Sequence, residues 1–301
     1  ARDAARTRQL EAALGELQAI EDSLPYEHPK RVRQRIPVGV YNVIADFGQA
    51  RGSNTATILP NDPDHSRKYG RTILMRRNLL EHPALFANRK LRYDAAVAPR
   101  DRDDLTAAGG FDRTLWHEIG HYLGPSHTAD GRDLDVALAD KADLFEELKA
   151  DLVSLFAARA LVGAGIFGPD ALRALYADGI RRTLQDVRPR PDQAYQTMQL
   201  IQFNWFVEHG LIQPEPGTGL LSIDYAAYHE VVTALLAEVL RLQYAGDYAA
   251  AIEFIERFDE WDDALHGPIA ARIRAAGGFR YTLVRYRAIA SAPPGPGNTT
   301  G

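Results

Sequence analysis

Two histidines stand four residues apart in the segment LWHEIGH, residues 115–121, and a glutamate follows the first directly. On a helix, residues four apart lie on one face, so His117 and His121 point the same way. Their ring nitrogens can meet a zinc ion at about 2.0–2.1 Å. Glu118 is rotated by about 100° from His117, which places a carboxylate beside the metal rather than on it. The spacing predicts a catalytic metal site. A pair of merely hydrogen-bonded helical histidines is the alternative.

A second acidic segment, FEELKADLVSLF at residues 145–156, offers a third ligand. Catalytic zinc sites usually take three protein ligands and keep one position for water. If Glu147 binds the metal, Asp151 can reach the free N–H of a ligand histidine from behind. Glu146 has Ala150 at the matching offset and lacks such a partner, so Glu147 is the preferred ligand. The alternative is a solvated acidic face, but the leucines predict a mostly buried helix, in which carboxylates need partners.

This set of residues predicts hydrolysis by an activated water. Zinc lowers the pKa of a bound water and polarises a carbonyl, and Glu118 takes the proton from that water and passes it to the leaving group. The same chemistry would cleave a peptide bond or a non-peptide amide or ester. A third possibility is a peptide-binding domain in which zinc is only a structural brace, although His127 is the one distant candidate for a fourth ligand. Two imidazoles and a carboxylate suit zinc, with cobalt and manganese as alternatives.

The segments HEIGH and EELKAD together resemble the dipeptidyl peptidase III family of zinc metallopeptidases, family M49. This chain carries the five-residue form of the histidine motif, which some bacterial members share. The resemblance implies zinc-dependent cleavage of a peptide substrate and assigns the third ligand to Glu147. It covers about residues 35–290 and mainly the zinc-bearing one of the family's two lobes, so the release of dipeptides is less firmly implied than peptide-bond hydrolysis.

The resemblance also suggests residues that contact the substrate. GSNTATILPND is similar to a loop that holds a bound peptide, which points to Asn61 and more weakly to Asn54. AYQTMQLIQFNWFVEHG is similar to the helix that carries a transition-state-stabilising histidine, and here Tyr195 stands at that position. Its hydroxyl could donate to an oxyanion, or the side chain could simply pack. From its residue type alone, Arg285 in YTLVRYR is a candidate to bind a substrate carboxylate, although a surface role is the alternative.

The elements that must position these residues predict an α+β protein that is mainly helical: a small N-terminal sheet followed by a large helical body. A polar helix is expected at residues 2–23, and strands at 35–48, 71–76 and 94–99. A turn-rich loop, residues 51–70, separates the first two strands. Helical periodicity predicts further helices at residues 112–123, 140–163, 169–185, 192–209, 224–244, 248–264 and 268–276. We assign residues 1–292 to one catalytic domain and 293–301 to a flexible tail.

Composition narrows the function classes. The 301 residues carry a net charge of −5, which does not favour a nucleic-acid partner, and no apolar run approaches the length of a membrane span. There is no cysteine, which excludes disulfides, thiolate zinc sites and cysteine nucleophiles. The chain starts at Ala1, which predicts a processed protein or a piece of a longer one. A soluble protein of the cytoplasm or the periplasm is expected, and these patterns predict neither compartment nor oligomeric state.

Overall fold

The computed structural model describes residues 4–32, 36–44, 56–59, 72–190, 193–279 and 284. Within them the protein is a predominantly helical α+β structure, so the predicted fold class is confirmed. A small mixed sheet near the N-terminus adjoins a helical body, and most of the buried apolar side chains form one continuous core. No described helix is both long enough and apolar enough to cross a membrane.

The N-terminal helix is interrupted. Helix α1 covers Ala4–Ala13, a 3₁₀ turn covers Leu14–Glu16, and α2 covers Leu17–Ser23. Gly15 lies in the 3₁₀ turn, and glycine is unfavourable in a helix interior because it loses the most backbone freedom on folding. The single helix predicted for residues 2–23 is therefore two helices joined by a tighter turn.

The N-terminal sheet has three strands, of which two were expected. Strands β1 (Val38–Tyr41) and β3 (Thr72–Arg76) run parallel, and β2 (Ala56–Leu59) pairs antiparallel with β3, which is the central strand. The registers place Val38 opposite Ile73 and Ile58 opposite Ile73. The prediction that residues 51–70 form a loop was wrong for β2, because the many turn-forming residues around ATIL outweighed the signal of a short strand.

The strand expected at residues 94–99 is not present. The helix Pro83–Ala96 includes the first three of these residues, and Val97 forms an isolated bridge to Leu221. Alanine is the strongest helix former, so the two alanines before Val97 extend the helix.

The described helices after the sheet place the functional segments on long elements. They are α3 (Arg77–Leu80), α4 (Pro83–Ala96), α5 (Ala107–Gly120), α6 (Leu134–Leu138), α7 (Ala142–Gly163), α8 (Pro169–Thr183), α9 (Ala194–Glu208), α10 (Tyr228–Ala245), α11 (Tyr248–Phe258) and α12 (Asp263–Ala276). Short 3₁₀ turns cover Pro99–Asp101 and Ala139–Lys141, and a hairpin joins β4 (Ile212–Pro214) to β5 (Leu221–Ile223).

Capping residues explain where two helices start earlier than expected. Helix α5 begins at Ala107 because the Thr106 hydroxyl accepts a hydrogen bond from the Gly109 backbone N–H at 3.0 Å. Helix α12 begins at Asp263 because the Asp262 side chain caps it in the same way. Pro268 lies inside α12 rather than at its start.

Helix α7 is the centre of the body, with α5, α8, α9 and α10 packed around it. Its side chains are buried on nearly every face, which is why its sequence is apolar well beyond one stripe. Helix α5 approaches it closely at Gly120, where a Cβ atom would lie 2.8 Å from the carbonyl oxygen of Ala150. This glycine inside HEIGH therefore lets the histidine helix contact the acidic helix.

Candidate metal centre

His117 and His121 lie together at the C-terminal end of α5. His117 is buried in the last turn, and His121 is the residue at which the helix ends. Their ring centroids are 4.9 Å apart and the ring planes are nearly perpendicular, at 85°. The two rings thus present ring nitrogens to one point in space, as the four-residue spacing predicts.

Glu147 on α7 closes this arrangement. Its Oε2 lies 3.2 Å from His117 Nε2 and 3.9 Å from His121 Nε2. One ligand atom from each of the three side chains lies within 4.8 Å of the others, so the cluster could hold a metal ion. Glu147 Oε2 is buried and makes no well-formed hydrogen bond with another described residue, although it lies within ion-pairing distance of His117 Nε2. A buried carboxylate oxygen without a well-formed hydrogen bond is costly, and a cation at this point would satisfy it. The residues present therefore fit a metal.

Each histidine has a carboxylate behind it. His117 Nδ1 lies 2.7 Å from Asp151 Oδ1, and His121 Nδ1 lies 2.9 Å from Glu146 Oε1. A carboxylate at Nδ1 fixes the tautomer and leaves Nε2 free to bind a metal. Asp151 stands where the i,i+4 spacing from Glu147 predicts it. The matching role of Glu146 was missed, since its spacing marked it only as a competitor for the ligand position.

An inner network holds Asp151 away from solvent. Arg113 Nη1 lies 2.7 Å from Asp151 Oδ1, and Arg113 Nε donates to Asp178 Oδ2 at 2.8 Å. Gln202 donates to Asp151 Oδ2 at 3.3 Å. Burial would raise the pKa of Asp151, but the guanidiniums of Arg182 and Arg113 hold it well below its usual range. Asp151 is therefore a permanent anion at neutral pH.

An outer network holds Glu146. Its Oε1 accepts a hydrogen bond from Lys149 Nζ at 2.9 Å, and the same ammonium donates to the Leu123 carbonyl at 2.8 Å. Burial would raise the pKa of Glu146, but Lys149 and His121 hold it below its usual range. Lys149 is almost fully buried, which links the acidic helix to the turn that follows His121.

The N-terminal segment reaches the same turn. The carboxylate of Glu21, which is fully buried on α2, accepts a hydrogen bond from the Gly124 backbone N–H at 2.8 Å and one from the Lys30 N–H at 3.0 Å. Gly124 adopts a φ of +79°, a conformation that favours glycine. The turn after the histidine helix is thus held by both α2 and α7.

In the absence of a metal, the carboxylates around His117 favour its protonated form. Burial lowers the pKa of an imidazole, yet the carboxylates of Asp151 and Glu147 outweigh this effect and raise the pKa of His117 to about 9. A cation bound at Nε2 would replace that proton, and its positive charge would still face the carboxylates of Asp151 and Glu147.

Glu118 and Tyr195 lie at the open side of the cluster. Glu118 is half-buried on α5 and makes no hydrogen bond or ion pair with the residues that the structure describes. Tyr195 lies in the first turn of α9, is 54% exposed, and donates a hydrogen bond from its hydroxyl to Glu147 Oε1 at 2.7 Å. Burial, the hydrogen bond to Glu147 and the charge of Glu118 all raise the pKa of Tyr195. Its hydroxyl therefore contacts the same carboxylate whose other oxygen faces the histidines.

Of the remaining candidates, three lie outside the described residues and one lies apart from this cluster. Asn54, Asn61 and Arg285 lie outside the described residues. His127 lies 3.2 Å from the exposed carboxylate of Asp133 and does not join the His117–His121–Glu147 group.

Fold and cluster together define the class: a mainly helical protein that is similar in fold to part of dipeptidyl peptidase III structures, as the sequence resemblance predicts, with a HEXXH-type cluster of His117, His121 and Glu147 that could hold a metal. One similar solved structure is DPP III from Caldithrix abyssi, with a TM-score of 0.82 and 24% identity over 91% of this chain and 53% of that one. Another is dipeptidyl-peptidase III from Corallococcus sp. strain EGB, with a TM-score of 0.79 and 28% identity over 91% of this chain and 52% of that one.

Sequence comparison gives one further relative. The chain is 27% identical over 267 residues to Nudix hydrolase 3 of Arabidopsis thaliana, which covers 85% of this chain and 34% of that protein. No protein-family model matches the chain. The chain thus spans about half of each similar solved structure and about a third of this curated relative.

Proposed function

We propose that this chain carries the metal centre of a zinc-dependent peptidase of the dipeptidyl peptidase III type. The observation that carries the proposal is the buried Oε2 of Glu147, which makes no well-formed hydrogen bond with a described residue and lies 3.2 Å from His117 Nε2 and 3.9 Å from His121 Nε2. The names of the two solved relatives support peptide-bond cleavage, and the name of the curated relative supports a hydrolase.

In this proposal His117, His121 and Glu147 hold the zinc ion. When bound, zinc would lower the pKa of a coordinated water and polarise the carbonyl that is attacked. Asp151 and Glu146 keep both imidazoles oriented, because each accepts at Nδ1 and leaves Nε2 directed at the metal position.

Glu118 is the general base. Its half-buried carboxylate makes no hydrogen bond or ion pair with another described residue, so it is available to accept a proton from water. As the new bond between the water oxygen and the carbonyl carbon forms and the carbon–nitrogen bond breaks, Glu118 passes this proton to the leaving amine. Tyr195 remains the candidate donor to the oxyanion, although such a role requires its hydroxyl to leave Glu147 Oε1.

The proposed substrate is a peptide, with Asn54, Asn61 and Arg285 as binding residues on the strength of the sequence alone. Because the chain spans only about half of the solved relatives, the proposal extends to peptide-bond hydrolysis and not to the release of dipeptides.

A metal-exchange experiment tests the metal dependence. Removal of divalent ions with a chelator, followed by gel filtration, should abolish hydrolysis of short peptides, and one equivalent of zinc should restore it. A panel of peptides with free and blocked N-termini, esters and lactams identifies the bond that is cleaved. Peptidase activity that persists in the metal-free protein would refute the metal-dependent mechanism.

The variant Glu118→Gln tests the base separately. It should retain one zinc per chain and lose about 10³-fold in kcat, because general-base catalysis typically contributes 10²–10⁴-fold. Glu253→Gln makes the same chemical change at an exposed position on α11 and should leave kcat unchanged. Full activity in Glu118→Gln would remove this residue from the mechanism.

A further inference from the structure

A polar pocket adjoins the inner network around Asp151 through Arg182. It is a cavity of about 280 Å³ between α4, the end of α8, α9 and α12. Its lining is unusually rich in guanidiniums and amides: Asn88, Arg89, Arg92, Arg181, Arg182 and Gln199. No step of the proposed hydrolysis uses these side chains.

Positive charge in and around this pocket exceeds negative charge. The described residues that line the pocket carry four guanidiniums, those of Arg89, Arg92, Arg181 and Arg182, and no carboxylate. Three of these guanidiniums pair with carboxylates next to the pocket, which belong to Asp186, Asp178 and Asp151. The side chains of Arg181, Arg182 and Arg92 are 20%, 25% and 38% exposed, so an anion that enters the pocket reaches them and is stabilised by the excess of positive charge.

Arg182 is the least satisfied of these cations. Its Nη2 lies 3.6 Å from Asp151 Oδ1, but Arg113 and His117 already lie 2.7 Å from that oxygen. Its Nε is buried and has no hydrogen-bond partner among the described residues. Burial lowers the pKa of Arg182, and although Asp151 opposes this, the neighbouring Arg113 and Arg181 add to it.

Two further arginines on α4 face the same cavity. Arg89 donates to the Leu80 carbonyl, and no ion pair with a carboxylate is seen for it in the described part of the chain. Burial and the charge of Arg181 lower its pKa to about 10. Arg92 pairs with Asp186 at 2.8 Å and stays partly exposed at the mouth. Positions 89 and 92 are three apart, so both side chains share one helix face.

We propose that this pocket binds an oxyanion, a carboxylate or a phosphate group, held by Arg182 with Arg89 and Arg92. Guanidinium groups bind both kinds of oxyanion through pairs of parallel N–H donors. The ligand would be free inorganic phosphate or the C-terminal carboxylate of a peptide. The site does not depend on hydrolysis, since its residues are separate from the metal ligands.

Calorimetric titration of the full chain with inorganic phosphate tests the site. The titration is run at constant ionic strength after chelation and gel filtration, so that neither metal nor chelator can occupy a site. We expect saturable binding that persists without metal. Arg182→Gln should weaken it at least tenfold and Arg92→Gln severalfold. Arg241→Gln, at an exposed ion pair with Glu238 on α10, should leave the dissociation constant unchanged.

Arg92→Gln keeps the test decisive if Arg182→Gln does not fold, because Arg92 is partly exposed and its pair is near the surface. Equal affinity in Arg92→Gln, Arg182→Gln and Arg241→Gln would overturn the proposal, as would phosphate binding that disappears with the metal.

A second pair of titrations identifies the source of the anion. The two titrants are N-acetyl-dialanine, which carries a free carboxylate, and the same dipeptide with an amidated C-terminus, which does not. Binding of the acid but not the amide assigns the site to a peptide C-terminus, whereas saturable binding of phosphate alone assigns it to free phosphate. If neither phosphate nor N-acetyl-dialanine binds saturably, the pocket is not an oxyanion site.

Discussion

In each histidine of the cluster, Nδ1 contacts a carboxylate, but different residues surround the two carboxylates. Behind His117, Asp151 is 3% exposed and lies within an inner network of Arg113, Asp178 and Arg182. Behind His121, Glu146 is 36% exposed, and the ammonium group of Lys149, which donates to Glu146, also donates to the Leu123 carbonyl. The contact to Nδ1 is alike, but the groups that enforce it are not.

This difference separates two contributions to the site. On the inner side, the charges that orient His117 are the same charges that join α5, α7 and α8, so ligand position and stability of the fold depend on the same residues. On the outer side, orientation of His121 depends on the turn at residues 123–124, which Lys149 and Glu21 hold. Mutations on the two sides should therefore affect stability and metal binding in different proportions.

The largest effect on stability is expected on the inner side. Arg113→Gln leaves Asp151 and Asp178 buried with fewer cations, and removing one partner of a buried ion pair typically costs about 3–5 kcal/mol. Urea unfolding of the metal-free protein should show this loss as a lower midpoint with the same slope.

The control is Arg241→Gln, in which the lost ion pair is exposed and is worth at most about 1 kcal/mol. If both variants lose the same small amount of stability, the inner network does not stabilise the fold in the way that its burial implies.

Mutation of either carboxylate behind the histidines should lower the metal affinity, and mutation of the inner one, Asp151, should lower it more. Asp151→Asn and Glu146→Gln each remove the negative charge behind a ligand imidazole, and such changes typically lower metal affinity by about 10–100-fold. We expect Asp151→Asn near the upper end, since Asp151 is the more buried and lies 2.7 Å from Nδ1, compared with 2.9 Å for Glu146. Competition with a chromogenic zinc chelator measures both values. A larger loss in Glu146→Gln would reverse the proposed order.

Acid should weaken the inner network through Asp178. Burial would raise the pKa of Asp178, but Arg181 and Arg113 hold it below the usual range, and the unfolded chain has an ordinary value of about 3.9. A depressed folded-state pKa contributes stability that is complete above the unfolded pKa and is lost as the pH falls towards the folded one. The unfolding free energy should therefore decrease as the pH falls below about 4.

Asp178→Asn should be less stable at neutral pH and show a flatter acid limb in the same unfolding experiment. Glu253→Gln, at an exposed position, should keep the wild-type profile. Parallel acid limbs in Asp178→Asn and the wild type would show that another group causes the acid sensitivity.

The residues of the cluster could be predicted from their spacing along single helices. The contacts that these residues make with other helices could not. His117, His121, Glu147 and Asp151 follow i,i+4 rules that are visible in the order of the residues alone. Arg113 and Asp178 belong to different helices and are 65 positions apart, and no periodicity relates them. The role of Glu146 could have been predicted, because Lys149 three residues later could have indicated a buried ion pair with it.

The fold shows the same division. Apolar periodicity located the long helices, whose packing depends on one strong pattern. Strand β2 was missed because four residues between turn formers give a weak local signal, and its pairing with β3 is a contact between distant segments. The prediction of a strand at residues 94–99 was wrong because α4 retains its helical hydrogen bonds up to Val97.

The smallest expected effect lies at the open edge, where neither network reaches. Tyr195→Phe removes the hydroxyl that donates to Glu147 Oε1 and keeps the ring. Tyr195 is 54% exposed, so the lost hydrogen bond should change the unfolding free energy by no more than about 0.5–1 kcal/mol. Zinc affinity should fall only severalfold, because the carboxylates behind both histidines remain in place. If Tyr195 also donates to the oxyanion, kcat will fall by more than the metal affinity at saturating zinc. Unchanged kcat in zinc-loaded Tyr195→Phe would restrict this residue to positioning Glu147.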